Sequence, residues 1–455
     1  MSAAFEGRVA AGPALPLLVR AETERTLAWS RGRAVSAGEF LADVAAVAAR
    51  LPARDAINLC EDRYAFLVAL CAVACRGHAS LLPSSRAPQA IGETLANHPG
   101  SYALNDADLP PLGVHGHHRE VPMIPAEQVV VVGFTSGSTG QPTPNAKRWG
   151  AFHASNARNL DAFEAILGLG TDSFAQIVAT VPPQHMYGIE LSILLPLLGP
   201  FAVHAGRPLF PADVASALAA VPAPRVLVTT PVHLGALLRD PQQLPPLAAI
   251  TSATAPMPRE LAAAAEARYG APVLELFGST ETCVIAQRRC ALGEDWRLRP
   301  GVSLRPQPDG TLVDAAYFEQ PVVLADLIEM LPDQRFRLCG RHADLVEIAG
   351  KRASLSDLGR RVAALAGVED AVVFQLDEPD AAGVRRIAAL VVAPARCEAE
   401  LLQELRTAID AAFLPRPLRK VAALPRNETG KLQRVALLSS LGEGDAGRTR
   451  ITRID

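Results

Sequence analysis

From Ser36 onward, short runs of β-branched and aliphatic residues alternate with longer stretches in which apolar side chains recur every three or four positions. Short unbroken apolar runs mark buried strands and the longer period marks helices, so the alternation as far as residue 276 predicts βα units around largely parallel sheets. The strands fall over 56–59, 129–134, 176–181, 225–230, 249–253 and 273–276. Several end in Gly, Pro, Ser or Thr, which gathers polar loops at the carboxyl ends of the strands, where open α/β sheets bind ligands. After Arg341 the pattern changes, with strands near 345–348, 371–374 and 387–392 between helices near 355–366 and 398–412. The fold class read from this is α/β. It comprises a large N-terminal domain, residues 1–340, of parallel and mixed sheets with flanking helices, and a small α+β C-terminal domain, residues 341–455. The Gly- and charge-rich segment 442–450 reads as a frayed tail.

Charge and composition narrow the class. In 455 residues with 20% charged positions and a net charge of −3, there is no basic excess to hold a nucleic acid. The longest apolar stretches, 65–75 and 191–203, fall short of the roughly 18 residues a bilayer span needs, and Pro196 and Pro200 interrupt the second, so no membrane span is expected. Glu6 and Arg8 stand where a signal peptide would carry its apolar core. Seven scattered cysteines without a CxxC pair suit reduced thiols, so a cytoplasmic location is expected. Cys71 and Cys75, four apart, read as small buried hydrophobes on one helix face. His115, His117 and His118 have no carboxylate pair or cysteine cluster beside them and read as a solvated loop, not a metal site.

Four segments carry candidate chemistry. GFTSGSTGQP, residues 133–142, directly follows an apolar strand. Its glycines let backbone N–H groups approach an anion, while Thr135, Ser136, Ser138 and Thr139 add hydroxyl donors, a design suited to polyphosphate. No GxxxxGK[ST] loop and no GxSxG elbow occurs in the chain, which sets aside a Walker nucleotidase and a serine hydrolase. LFGSTET, residues 276–282, offers an aromatic face for a base, a glycine turn, a hydroxyl and one carboxylate able to hold Mg²⁺ against phosphate oxygens. Asp326 and Arg341, the latter in GRHAD, pair an acceptor carboxylate with a fixed cation, which suits ribose hydroxyls beside a phosphate or a plain surface ion pair. LPRNETGKL, residues 424–432, presents Lys431 after a glycine turn.

In order, TSGSTG, PPQHMYG, FGSTE, Asp326, GRHAD and LPRNETGK resemble the motifs of the AMP-forming adenylate ligase superfamily, which includes acyl- and aryl-CoA synthetases. The resemblance covers most of the chain and implies a large core with a small mobile C-terminal lid. It implies that Thr135, Ser136, Gly137, Ser138, Thr139 and Gly140 embrace the ATP phosphates. Phe277 would lie against adenine, Thr280 would contact phosphate, and Glu281 would hold Mg²⁺. Asp326 would bind the ribose, assisted by Arg341. Lys431 would be the lid lysine that bridges the substrate carboxylate and the α-phosphate, stabilising charge as the carboxylate attacks. His185 and Tyr187, with Ser252 and Ala253, would line the acyl site. The implied cofactors are ATP and Mg²⁺.

The chain departs from the family pattern at two places. Thr143 stands where the family's loop lysine is usual, with Lys147 slightly later, and the lid hinge position falls on Ala343 beside Asp344. The stretches 57–64 and 81–86 resemble the AMP ligases of aryl polyene and xanthomonadin-type pigment synthesis. This narrower resemblance implies activation of a hydroxybenzoate-like aromatic carboxylic acid and its transfer to the phosphopantetheine thiol of an acyl carrier protein. An aryl- or acyl-CoA ligase using free CoA is the alternative, and a non-catalytic nucleotide-binding regulatory member of the family is the alternative of another class.

Overall fold

The computed structural model describes residues 13–20, 22–83, 86–136, 142–167, 174–341, 345–348, 351–380, 384–426 and 432–442. By packing, the chain divides into Met1–Val302 with Asp314–Gln320 and Ser303–Val313 with Pro321–Asp455. The residues between 321 and 340 thus fall with the second unit by packing, whereas the change of sequence pattern comes only at Arg341.

The described part of the first unit is built on two large sheets and a small one of Ala14–Pro16 with Met123–Pro125. In the largest, the strands run in the spatial order Trp296–Leu298, Cys283–Arg288, Val273–Ser279, Ala249–Ser252, Arg225–Thr229, Ala175–Ala179, Phe201–His204, Thr26–Ser30 and Arg33–Ser36. The six from Val273–Ser279 to Thr26–Ser30 are mutually parallel, and antiparallel strands finish both sides. Their interior strands are buried on both faces, which is why they read as continuous apolar runs and not as alternating ones. The second large sheet orders Tyr102–Leu104, Ala56–Asn58, Ser80–Leu82, Val129–Ser136 and Pro142–Arg148, with only the last strand antiparallel.

The apolar stretch at 65–75 lies in helix Arg63–Cys75, which is buried almost all round. Asp62 caps it by accepting the Ala65 N–H at 2.9 Å. Cys71 is fully buried and Cys75 partly so, as small hydrophobes would be. The other long apolar stretch divides into a helical run and the strand Phe201–His204, and among the described residues no helix is long and apolar enough to cross a membrane.

Within the second unit, Asp326–Leu331 and Arg335–Arg341 form an antiparallel hairpin. In the three-residue connection 332–334, Asp333 and Gln334 both take left-handed φ values, 59° and 57°. Further along, hairpin Leu345–Ile348/Lys351–Ser354 leads into helix Leu355–Ala363, and a sheet of Asp370–Gln375, Ile387–Val392 and Leu418–Lys420 packs with helix Glu398–Ala408 around Val362, Val391 and Leu401. The α/β class and its α+β second unit agree with the sequence reading.

Candidate functional site

Residues 137–141, which include Gly137, Ser138, Thr139 and Gly140, lie outside the described residues, but the strands that flank them do not. Val129–Ser136 and Pro142–Arg148 pair with Thr135 opposite Thr143 and Gly133 opposite Asn145. This register holds the two ends of the Ser/Thr/Gly loop together. Asn145 Nδ2 donates to Thr135 Oγ1 at 3.3 Å, and Thr135 Oγ1 in turn donates to Glu281 Oε1 at 3.3 Å. Two segments 146 residues apart therefore meet through side chains that the sequence had marked separately.

The second segment owes its shape to one glycine. Val273–Ser279 pairs with Cys283–Arg288, the register shifts between Phe277 and Gly278, and Gly278 faces Val284. A Cβ on Gly278 would stand 2.1 Å from the Cys283 carbonyl oxygen, a separation no side chain tolerates. The turn is closed by Thr282, whose Oγ1 accepts the Ser279 N–H at 3.1 Å. Thr280 projects towards the glycine loop's strand, where its Cγ2 lies 3.1 Å from the place a Cβ on Gly133 would take. Phe277 leans on Trp296, ring centres 5.4 Å apart and planes at 54°, and the Arg288 guanidinium lies 4.5 Å over the Trp296 ring.

His185 precedes the helical run formed by Met186–Ile189, the π-turn Glu190–Leu194 and Leu195–Leu198. Gly188 is needed where the chain doubles back, since a Cβ there would come 2.0 Å from the Pro182 carbonyl oxygen. A small cleft, open to solvent, is lined by Leu82, Pro83, Gly133, His185, Met186 and Thr280 among others. His185 and Thr280 thus face one space. Tyr187 does not line it: its hydroxyl is buried 3.0 Å from Thr251 Oγ1, and burial pushes the phenol well above its ordinary range. Ser252 ends the strand Ala249–Ser252 and Ala253 follows it; Ser252 is fully buried, its Oγ making no hydrogen bond to the described residues.

Of the stretch 57–64, Asn58, Arg63 and Tyr64 are interior. Arg63 donates to the Ala179 and Val181 carbonyls at 2.9 and 2.8 Å, and Tyr64 donates to Asp43 at 2.7 Å. Leu82 and Pro83 are the parts of the early segments that reach the cleft. In the second unit, the hairpin makes Asp326 and Arg341 direct partners across the ladder, and Thr311 Oγ1 donates to the Asp326 carbonyl at 2.6 Å. Lys431, Ala343 and Asp344 lie outside the described residues.

Sequence reasoning left two supporting residues without a firm role. Lys147 is 8% exposed, and its Nζ donates to the Glu281 carbonyl oxygen at 2.5 Å, whereas Thr143 is exposed. Glu190, a lone carboxylate in an apolar helix, is 1% exposed and accepts the Val284 N–H. Its only sequence signal was that loneliness.

Among the described residues no group of three or more His, Cys, Asp or Glu could cage a metal. The donor set here is one carboxylate, Glu281, with a neighbouring hydroxyl. This fits Mg²⁺, which is held by one or two carboxylates plus substrate phosphates and keeps waters, and would not fit an ion that needs an all-protein cage.

Comparison with known proteins gives the chain a family and a fold. Residues 55–316 match the model of the AMP-binding enzyme family. The 4-coumarate–CoA ligase of Halorhodospira halophila is 30% identical over 315 residues, 66% of this chain and 74% of that protein. The protein of the same name from Rhodobacter capsulatus is 31% identical over 310 residues, 67% of this chain and 75% of that one. In fold, the O-succinylbenzoate coenzyme A synthetase of Bacillus subtilis, solved with ATP and magnesium, superposes with a TM-score of 0.76 at 16% identity, covering 93% of this chain and 99% of that one. With its phosphate-loop strands, its FGSTE turn and over half its length inside that family, the chain belongs to the AMP-binding enzymes and is an AMP-forming acid–thiol ligase that uses ATP with Mg²⁺.

Proposed function

We propose that the enzyme activates an aromatic carboxylic acid of the hydroxybenzoate kind and passes it to the phosphopantetheine thiol of an acyl carrier protein, with free CoA as the alternative acceptor. The observation that carries the reading is the contact of Thr135 with Glu281 at the edge of the cleft that His185 and Thr280 line. It brings the strand that leads into the Ser/Thr/Gly loop, a carboxylate and the small cleft of His185 and Thr280 together within one unit. Support for a flat ring comes from the cleft's composition, with Gly133, Met186 and Phe134 around it, and from two relatives named as 4-coumarate–CoA ligases.

In this reading a carboxylate oxygen of the acid attacks the α-phosphorus of ATP, the bond to the bridging oxygen breaks, and pyrophosphate leaves. The thiol then attacks the acyl carbonyl and AMP departs. Thr135, Ser136, Gly137, Ser138, Thr139 and Gly140 donate to the β and γ phosphates, and Thr280 contacts phosphate. Phe277, backed by Trp296, offers its ring to adenine, while Asp326 accepts the ribose hydroxyls beside Arg341. Glu281 is the protein ligand of Mg²⁺, whose bound charge offsets that of the phosphate oxygens. Lys431 steadies the charge that builds between carboxylate and α-phosphate, an ammonium being compact and carried on a flexible stem. Residues 1–340 act as the core and 341–455 as a lid that moves between the two half-reactions. All seven cysteines are unbridged, which suits a reducing cytoplasm.

The test is pyrophosphate release with MgATP across benzoates, cinnamates and fatty acids, followed by CoA or a phosphopantetheinylated carrier protein with the best acid. Release with a hydroxybenzoate, completed by carrier protein and abolished by Lys431→Ala, is expected. A fatty-acid response overturns the substrate, completion by CoA alone overturns the acceptor, and an unchanged rate in Lys431→Ala overturns the lysine's role.

A further inference from the structure

The turn that carries Thr280 and Glu281 is short and conformationally costly. Cys283, which ends it, has φ of +61°, in the left-handed region that residues with side chains disfavour. A backbone of this kind keeps its shape only where surrounding groups over-determine it. Those groups arrive from two buried side chains on other elements. Glu190 receives the Val284 N–H on both carboxylate oxygens, at 3.1 and 3.0 Å, immediately after the strained residue. Lys147 donates to the carbonyl of Glu281 itself.

The two charges are integrated with one another. Glu190 also accepts from Ser155 Oγ at 2.9 Å and Asn159 Nδ2 at 3.3 Å, and its field includes Lys147 and the buried Arg299, which donates to Asn159 Oδ1 at 3.3 Å. A carboxylate this deeply buried is tolerated because hydrogen bonds and cations meet it. Lys147 stands on the strand that follows the Ser/Thr/Gly loop, and Glu190 two residues after PPQHMYG, so each neighbouring motif sends one charged side chain to the back of the same turn.

We propose that Glu190 and Lys147 are positioning residues that grip the 279–284 backbone from inside, fixing Glu281 and Thr280 opposite Thr135 for the metal–nucleotide. On this proposal the task of Lys147 is to hold the turn, and not to replace the absent loop lysine as the main phosphate ligand. The proposal rests on the assignment of Glu281 to Mg²⁺ given above.

The test compares wild type with Lys147→Met, Lys147→Arg and Glu190→Gln. ATP binding is measured by calorimetry with and without Mg²⁺, beside kcat and KM for acid-dependent pyrophosphate release and a melting curve. Lys147→Met should lose most of the Mg²⁺ enhancement of ATP affinity and about 100-fold in kcat, the scale of a misplacement near 1 Å, with KM for the acid within about threefold. Lys147→Arg, which can still donate to the carbonyl, should recover part of both. Glu190→Gln, nearly isosteric, should move in the same direction as Lys147→Met. Folded variants with wild-type Mg²⁺ enhancement and kcat overturn the proposal, and so does a failure of both Lys147→Met and Glu190→Gln to fold, which would assign the pair to general stability. A wild type that binds MgATP yet responds to no aromatic acid overturns the substrate reading and leaves the grip to be judged on binding alone.

Discussion

Gly278→Ala concentrates the reasoning about the turn in one methyl group. The added Cβ would lie 2.1 Å from the Cys283 carbonyl oxygen, 2.8 Å from its carbon and 2.9 Å from the Val284 Cα, all of them backbone atoms that no rotamer change can move aside. The closest contact is about 1.3 Å short of the 3.4 Å where ordinary contact begins, so the strand pair must open or the turn must shift by roughly that distance. Overpacking of this sort costs about 1–3 kcal/mol of stability. A displacement near 1 Å of Thr280 and Glu281 costs about 100-fold in rate. Stopped turnover assays of acid-dependent pyrophosphate release, with denaturant unfolding alongside, read the two effects separately. Gly270→Ala supplies the contrast: φ there is +64° but nothing lies within 4 Å of the added atom. It should cost about 1–2 kcal/mol of stability through the left-handed backbone alone and leave kcat unchanged. If Gly278→Ala keeps kcat within threefold of wild type while remaining folded, the turn does not set the position of the catalytic groups.

Two further outcomes follow from buried polar groups. Burial lowers the pKa values of His153, His204 and His233, the last of which bonds Thr180 Oγ1 at 2.8 Å. The folded state keeps these rings neutral while the unfolded chain accepts protons, so the stability they contribute above the ordinary imidazole value of 6.5 should drain away as pH falls through their depressed values. Denaturant midpoints at about pH 7.5 and about pH 5 should therefore differ less in His233→Asn than in wild type, and equal differences would count against the sign. Arg63, whose pKa burial brings down to about 9, should be destabilising to remove: Arg63→Met strands the Ala179 and Val181 carbonyls at about 1–3 kcal/mol each, less what is recovered by not burying a cation. A variant as stable as wild type in urea would show that those carbonyls find other donors.

The sequence exposed the parallel strands because a strand covered on both faces has to be apolar throughout. Arg225–Thr229 and Ala249–Ser252 came within a residue of their expected limits for that reason. Less was visible in Cys283–Arg288 and Trp296–Leu298, the antiparallel strands that turn back after FGSTE, since an apolar run of four residues and a strand of three are too short for their period to separate strand from helix or loop. The turn at 332–334 carried only a partial signal: Pro332 and Asp333 are turn residues, but Gln334 is an uncommon choice for a left-handed position, so the hairpin that pairs Asp326 with Arg341 was not announced as one.

Within the candidate site, the sequence pointed to residues whose proposed tasks against phosphate or a base restrict residue type at fixed short spacing. What could not be read was the support. The contact of Glu190 with Val284 spans 94 residues, and that of Lys147 with Glu281 spans 134. At either position the local pattern offers only a charge in an apolar helix or in a strand, and a charge in an apolar segment is equally well a surface residue until a partner is known. Tyr187 and His185 show the same separation of letter from placement. PPQHMYG fixes the backbone through Gly188, but helical geometry then sends His185 to the cleft and the tyrosine to Thr251, a division that follows from the direction in which the helix packs and not from the letters of the motif. Specificity for the acid should accordingly answer to Gly133, His185 and Met186 before Tyr187, and a change at Tyr187 should register first in stability through its buried hydroxyl.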